Sequence, residues 1–162
     1  MSNVEPTGVA VWPMRRSSNC RRSADGNRYP RLGEQRPIMP ILGKVTPILR
    51  IFDEAKAREF YVDFLGFTVD WEHRFEAGMP LYMQVSKENC SLHLSEHFGD
   101  GSPGVHIRIE ISDVDEFQQS LIAKRYKHAR PGVEDMPWGS REMSIADPSG
   151  NRLTFFASIG AT

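Results

Sequence analysis

Cysteine is scarce in this sequence: Cys20 and Cys90 are the only two among 162 residues, and they are not spaced as a CxxC pair. That count excludes a disulfide framework and leaves no thiolate zinc motif. No uninterrupted apolar run reaches the roughly 18 residues that a membrane-spanning helix needs. The N-terminus also lacks the apolar stretch of a secretory signal. We therefore predict a cytoplasmic protein with reduced thiols and no membrane partner.

Positive charge is scarce beyond residue 38. Residues 1–38 contain seven Arg, no Lys and three acids, a net charge of +4, which leaves −5 for the rest of a chain whose total is −1. Binding to nucleic-acid phosphates requires clustered Lys and Arg, which the acidic remainder does not offer. The charge balance thus argues against a nucleic-acid partner and favours a cationic ligand.

The N-terminal stretch, residues 1–38, is rich in Arg, Ser, Pro and Gly and shows neither helical nor strand periodicity. Such a segment buries too little apolar surface to offset the entropy of ordering it, so we predict that it is disordered. We interpret it as an extension upstream of a start at Met39. A transit peptide or a nucleic-acid-binding arm is the alternative. The folded domain is then predicted to span residues 39–162.

From Lys44 onward, one pattern occurs twice. Apolar residues alternate along 45–51 and again along 105–111, as they do in half-buried strands. A helix follows each strand, capped by Asp53 in the first copy and by Asp113 or Asp115 in the second. Further strands are predicted at 67–75, 81–86 and 90–95 after the first helix, and at 129–134, 141–146 and 151–157 after the second.

The repeat predicts an α+β fold of two βαβββ modules, at about 44–98 and 104–158. In the second helix, Phe117, Leu121 and Ile122 are predicted to face the core. Two such modules can place their sheets together as a curved half-barrel, with a concave face lined by alternate residues.

Several segments, in this order along the chain, resemble one known superfamily. Pro47 to Asp53, Phe60-Tyr61 and Leu65-Gly66-Phe67 resemble the opening βα unit of the glyoxalase/bleomycin-resistance/extradiol-dioxygenase superfamily, also called the vicinal oxygen chelate superfamily. Pro137-Trp138-Gly139, Arg141-Glu142 and the turn 147–151 resemble the closing segment of its bleomycin-resistance members. The resemblance implies a glyoxalase-like half-barrel and a homodimer, with Pro47 near the point where members often exchange their first strand.

Metal-using members of this superfamily hold the metal with one ligand from each of four strands. The resemblance places those positions at Thr46, His93, His106 and Thr154, as vestigial positions. Two imidazoles and two alcohols include no carboxylate, and neutral hydroxyls are poor ligands for divalent metals. We therefore predict no metal, no cofactor and no catalytic residue.

A displaced metal site is the alternative. Glu96, Glu110 or Glu142 could supply the missing carboxylate, and strand alternation puts Glu110 and Glu142 on the same face as His106. His93 and His106 are otherwise polar lining residues that bond to strand neighbours or to a ligand.

A concave face rich in aromatic side chains suits a planar heteroaromatic ligand, with extra attraction if that ligand is cationic. The predicted ligand-binding residues are Trp71, Phe75, Tyr82, His93, His106, Trp138 and Glu142. Trp71, Phe75 and Trp138 are expected to stack on the ligand, and Glu72 and Glu142 to face its positive tail.

No Ser-His-Asp arrangement, Walker loop or GxGxxG segment is present. We therefore predict an antibiotic-binding protein that sequesters bleomycin-like cationic glycopeptides without catalysis. The alternative is a metal-dependent lyase, isomerase or dioxygenase of the same superfamily. A sensor or carrier of another aromatic metabolite is a third possibility.

Overall fold

Two βαβββ modules follow one another along the chain, as the internal repeat predicts. The computed structural model describes residues 42–159, which lie within one compact unit. Module 1 contains β1 (Ile48–Arg50), α1 (Glu54–Arg58) with a π-helical continuation (Glu59–Phe64), β2 (Thr68–His73), β3 (Tyr82–Lys87) and β4 (Cys90–Ser95). Module 2 contains β5 (His106–Glu110), α2 (Val114–Ala123), β6 (Val133–Met136), β7 (Ser140–Ala146) and β8 (Arg152–Ser158). The predicted fold class is confirmed; the predicted disorder of residues 1–38 concerns residues outside the described part.

Each module forms its own four-stranded sheet, with strand orders β1-β4-β3-β2 and β5-β8-β7-β6. β1 runs parallel to β4, and β5 runs parallel to β8. The other neighbouring strands are antiparallel. Ile48 lies opposite His93 in module 1, and Arg108 lies opposite Thr154 in module 2. The register therefore repeats with the offset that the sequence pattern indicated.

Both helices begin at an aspartate that precedes them. The Asp53 carboxylate accepts a hydrogen bond from Lys56 N at 3.0 Å, and the Asp113 carboxylate accepts one from Glu116 N at 2.9 Å. These bonds satisfy backbone donors that have no partner within the first turn, which is why Asp is favoured at this position. None of the helices within residues 42–159 is long and apolar enough to cross a membrane.

One hydrophobic core serves both modules. Buried side chains from both sheets and from the helices, among them Leu94, Leu121 and Phe155, form a single cluster. Phe64 stacks on Tyr126 across the modules, with ring centroids 4.4 Å apart. Each sheet therefore packs one face against the shared core.

The opposite face of each sheet points away from that core. We call the one that carries Tyr82, Gln84 and His93 open face 1, and the one that carries Arg108 and Glu142 open face 2. No hydrogen bond, ion pair or aromatic contact among residues 42–159 joins the two open faces. The chain thus presents two separate surfaces on which a ligand could bind.

The first strand is shorter than its alternating pattern suggests. β1 begins at Ile48, and Val45 is exposed to solvent. Pro47 accepts a hydrogen bond from His93 N through its carbonyl at 3.0 Å, but it has no N–H with which to extend the ladder.

Two further expectations from the sequence are wrong in detail. β6 is Val133–Met136 rather than 129–134, because the preceding Pro131 and Gly132 do not favour a strand interior. Ile122 is exposed and not in the core, whereas Leu121 is buried. Adjacent residues of a helix point about 100° apart, so only one of the two can face the core fully.

Candidate ligand-binding site

A stacked pair of aromatic rings lies on open face 1. Trp71 of β2 and Tyr82 of β3 have ring centroids 5.8 Å apart and planes inclined by 12°. A register shift between Val69 and Trp71 aligns Trp71 with Gln84, so that its indole projects on the open face and not toward the core. Trp71 is 42% exposed, so its ring is accessible to a ligand.

Four side chains on open face 1, including that of Tyr82, form a hydrogen-bond chain. Gln84 donates from Nε2 to Asp70 Oδ2 at 2.7 Å, which leaves its carbonyl oxygen facing His93 Nε2 at 2.9 Å. With Nε2 donating to this oxygen, the neutral imidazole of His93 accepts through Nδ1 from the Tyr82 hydroxyl, which lies 2.7 Å away. Hydrogen bonds from Gln84 and then from Ser86 lower the pKa of the Asp70 carboxyl. The chain from Asp70 therefore fixes the position of the Tyr82 ring.

Phe75 lies beyond the end of β2 and is largely exposed. Its ring meets the edge of His73 at 5.1 Å and that of His97 at 5.9 Å between centroids. It therefore belongs to the rim of open face 1 and does not join the stack of Trp71 and Tyr82.

A carboxylate organises open face 2. Glu142 is only 5% exposed and accepts four hydrogen bonds. Arg108 donates two of them, at 3.0 and 2.6 Å, to the two carboxylate oxygens. Ser140 Oγ and Trp138 Nε1 donate the others, at 2.5 and 2.9 Å. The bonds from Arg108, then those from Ser140, lower the pKa of the Glu142 carboxyl to about 2.

Trp138 sits at the tip of the turn between β6 and β7. Gly139 N donates to Met136 O at 3.0 Å, and Gly139 has a φ of +83°. Pro137 suits the second position of such a turn, and glycine suits the left-handed position that follows Trp138. The Pro-Trp-Gly motif thereby holds an indole that is 67% exposed and whose N–H donates to Glu142.

Two further contacts complete open face 2. The guanidinium carbon of Arg108 lies 4.5 Å from the centroid of the Phe156 ring, a distance typical of a cation–π contact. His106 Nε2 lies 2.8 Å from Thr154 Oγ1, which in turn lies 2.7 Å from Ser144 Oγ.

The family of the chain follows from its sequence. The profile described as "Glyoxalase superfamily protein" matches residues 36–161. The chain belongs to the glyoxalase superfamily. A bleomycin resistance protein from Geobacillus stearothermophilus is 27% identical over 127 residues, which cover 70% of this chain and 95% of the relative.

Solved structures of other proteins share this fold. A bleomycin-binding protein complexed with bleomycin matches with a TM-score of 0.56 at 22% identity, over 72% of this chain and 99% of that chain. A glyoxalase-related enzyme from Clostridium phytofermentans matches with a TM-score of 0.59 at 21% identity, over 75% and 99%. At these identities the matches establish the shared fold alone.

The four positions that the resemblance assigns to metal ligands do not offer a suitable set of donors here. His106 and Thr154 are hydrogen-bonded to each other, and Thr154 offers a neutral hydroxyl. Both ring nitrogens of His93 are engaged by Tyr82 and Gln84, and Thr46 is exposed ahead of β1. No three His, Cys, Asp or Glu side chains between residues 42 and 159 are grouped closely enough to hold a metal ion. These residues do not fit a divalent metal.

The carboxylates considered for a displaced metal site are differently placed. Glu142 is occupied by its four donors, and Glu96 accepts from Leu81 N at 2.8 Å. Glu110 is exposed on the face that His106 shares, in agreement with strand alternation, and forms no ion pair with another described residue. One carboxylate and one imidazole at opposite ends of β5 are too few ligands, and too far apart, for a metal centre.

The predicted ligand-binding residues thus separate into two groups. Trp71, Tyr82 and His93 are brought together on open face 1, with Phe75 at its rim, and His106, Trp138 and Glu142 lie on open face 2. Their role in binding stays a prediction. Glu72 pairs with Arg58 through one oxygen and stays half-exposed, whereas Glu142 pairs with Arg108 and is buried; that these carboxylates face a positive tail stays a prediction.

Sequence reasoning missed the residues that support these groups. They are Asp70 and Gln84 on open face 1, and Arg108 and Phe156 on open face 2. Strand alternation could have found two of them, since Gln84 follows Tyr82 and Arg108 follows His106 at a spacing of two.

A groove of about 1070 Å³ lies between residues 44–47, the β3–β4 turn, β5 and the start of α2, and Arg108 is among its lining residues. Its lining includes Phe67, Ile109 and Phe117, and Lys87 donates there to Leu65 O at 3.0 Å. We place the candidate site on the open faces because the exposed, positioned aromatic rings are there and not in this groove.

Proposed function

We propose that this protein binds a bleomycin-like antibiotic and sequesters it in the cytoplasm without making or breaking a bond. The observation that carries the proposal is the accessible Trp71–Tyr82 stack, held in place by the hydrogen-bond chain from Asp70. A rigid pair of flat rings binds a planar heteroaromatic ligand at little entropic cost. The names of the bleomycin resistance and bleomycin-binding relatives support the same assignment.

The proposal includes a homodimer in which open face 1 of one protomer meets open face 2 of its partner. Small-molecule sites usually enclose most of the ligand surface, and one sheet face alone encloses little. The two open faces of one chain share no contact among residues 42–159, so a second copy offers each face the wall that it lacks.

The side chains of the open faces also favour binding over catalysis. Thr154 Oγ1 lies beside His106 Nε2, as a nucleophile lies beside its base. The Tyr82 hydroxyl lies in the same way beside His93 Nδ1 but belongs to the hydrogen-bond chain from Asp70. Thr154 is only 1% exposed, so its hydroxyl cannot reach a substrate carbonyl. Glu142 is buried and ion-paired to Arg108 through both oxygens, and its lowered pKa makes it a weak base toward a substrate.

The direct test is isothermal titration of the full chain with copper-bleomycin. We expect saturable binding with one ligand per site. Mass spectrometry of the ligand recovered after binding is expected to show an unchanged mass. Trp71→Ala is expected to raise the dissociation constant about tenfold, because the stacked ring is lost. Phe52→Ala is the matched control, because Phe52 is also an exposed aromatic but lies beside Arg50 and Ser149, away from the open faces. No heat of binding at high micromolar ligand would refute the antibiotic assignment.

Light scattering tests the second part of the proposal. We expect the mass of two chains, with or without ligand. A monomer that binds copper-bleomycin with unchanged affinity at all protein concentrations would contradict the shared site.

A further inference from the structure

We infer that Glu142 is a positioning residue that holds Arg108 and Trp138 as the two ligand-facing groups of open face 2, and that Arg108 stacks on a flat unsaturated ring of the ligand. This inference rests on the proposed function for the identity of the ligand. It differs from the expectation that Glu142 itself pairs with a positive tail.

Glu142 is covered by its own donors. Arg108, Ser140 and Trp138 all donate to Oε1, and Arg108 donates in addition to Oε2. With 5% of the residue exposed, a ligand ammonium has no path to the carboxylate, although Oε2 accepts only one bond.

The same four bonds leave Arg108 and Trp138 accessible. The Arg108 side chain is 42% exposed, and its guanidinium lies against the Phe156 ring at 4.5 Å. A planar guanidinium with its edge bound to a carboxylate and one side on an aromatic ring still offers its other side for stacking. Trp138 presents an indole on the same carboxylate, so Glu142 links the two groups.

The charge of the ion pair agrees with the assignment. Arg108 and Glu142 together carry no net charge, so the pair itself gives no strong attraction to a cation; the exposed Glu110 lies on the same face. A polarizable ring system is therefore the ligand chemistry that the Arg108 guanidinium favours.

A ligand-free experiment tests the positioning role. Replacing Trp12 and Trp71 by Phe leaves Trp138 as the only tryptophan, and its fluorescence anisotropy then reports how firmly the indole is held. We expect Glu142→Ala to lower the anisotropy and to increase quenching by acrylamide. Glu142→Gln, which keeps an oxygen for the indole N–H, is expected to restore most of the signal. Equal anisotropy in the parent and in Glu142→Ala would overturn the positioning role.

A binding experiment with copper-bleomycin tests the role of Arg108, because the two possible roles predict opposite changes in affinity when Arg108 is replaced. If Arg108 stacks on the ligand, Arg108→Gln and Arg108→Lys weaken binding about three- to thirtyfold. If Glu142 pairs with a ligand cation, Arg108→Gln frees the carboxylate and tightens binding, which would overturn the inference. An unchanged affinity for Arg108→Gln would overturn it as well.

Arg125→Gln is the matched control for charge. Arg125 is exposed just after α2, on the helix side of the sheet and not on open face 2, and forms no ion pair with any residue that the structure describes, yet its replacement removes the same positive charge. We expect no change in anisotropy and none in affinity beyond the long-range effect of one charge. If the parent protein does not bind copper-bleomycin, the proposed function fails, and the anisotropy comparison alone decides whether Glu142 positions Trp138.

Discussion

The Tyr61 hydroxyl donates a hydrogen bond of 2.8 Å to Asp147 Oδ2, which ties the π-helical stretch of module 1 to the β7–β8 turn of module 2. Asp147 also accepts from the backbone N–H groups of Ser149 and Asn151 and from Asn151 Nδ2. Asn151 Nδ2 donates in addition to Arg50 O at 2.8 Å. The two repeats are therefore joined by a buried polar network as well as by apolar packing.

Tyr61→Phe is expected to lower the free energy of unfolding by about 2 kcal/mol, because it removes a buried hydrogen bond to a carboxylate. Burial, and then the charge of Asp147, raises the pKa of the Tyr61 hydroxyl well above 10, so the donor is protonated at neutral pH. Urea denaturation at pH 7 measures the loss. Tyr126→Phe is the control, since Tyr126 packs on Phe64 and its hydroxyl has no hydrogen-bond partner among the described residues. Equal losses in both variants would contradict the assignment.

The ion pair of Glu142 predicts a stability difference that depends on pH. Arg108, and then Ser140, lower the pKa of Glu142 from 4.5 to about 2 in the folded protein. A lowered folded pKa stabilises the folded state above the unfolded pKa, and this stabilisation disappears as the pH falls through the folded value. We expect the urea midpoint of the parent to exceed that of Glu142→Gln at all pH values above 4.5, and the difference to shrink as the pH approaches 2. The difference in urea midpoint between the parent and Arg108→Gln is also expected to shrink as the pH falls. A difference that is constant across this range would show that the ion pair does not account for it.

The geometry of the turn that presents Trp138 predicts that replacing Gly139 lowers the stability of the protein. Its φ of +83° is costly for any residue with a Cβ, so Gly139→Ala is expected to lower stability by about 1 kcal/mol. A Cβ at Gly139 meets nothing within 4 Å, so the loss reflects backbone strain and not a clash. Gly132→Ala, where the Cβ also meets nothing within 4 Å and φ is not in the left-handed region, serves as the control. Thermal unfolding of the two variants distinguishes them, and equal midpoints would contradict the strain.

Both ring nitrogens of His93 are hydrogen-bonded, and no carboxylate of the described residues lies beside His106. We therefore predict that removing metal does not change the stability of the protein. Dialysis against a chelator is expected to leave the unfolding temperature unchanged, and protein purified without chelator is expected to contain far less than one equivalent of metal. Elemental analysis by mass spectrometry makes the measurement. Stoichiometric zinc, nickel, manganese or iron that is lost in His106→Ala would instead support the metal-dependent alternative.

The sequence by itself determined the elements and their repetition. Alternating apolar residues and capping aspartates act over a few positions, so the strands and the starts at Asp53 and Asp113 follow from local chemistry. The equivalence of His93 and Thr154 follows from the repeat in the same way. Where the local signals were mixed, as at Pro47 and near Pro131, the predicted strand boundaries were wrong.

Only the tertiary structure decided what each polar group bonds to. Arg108 and Glu142 lie 34 positions apart and meet because β8 brings β5 and β7 close together in one sheet. The register shift before Trp71 aligns that ring with Gln84, and no local pattern indicates such a shift. Hydrogen bonds between distant side chains depend on strand order and register, which arise from packing of the whole core and not from the residues on either side of each group.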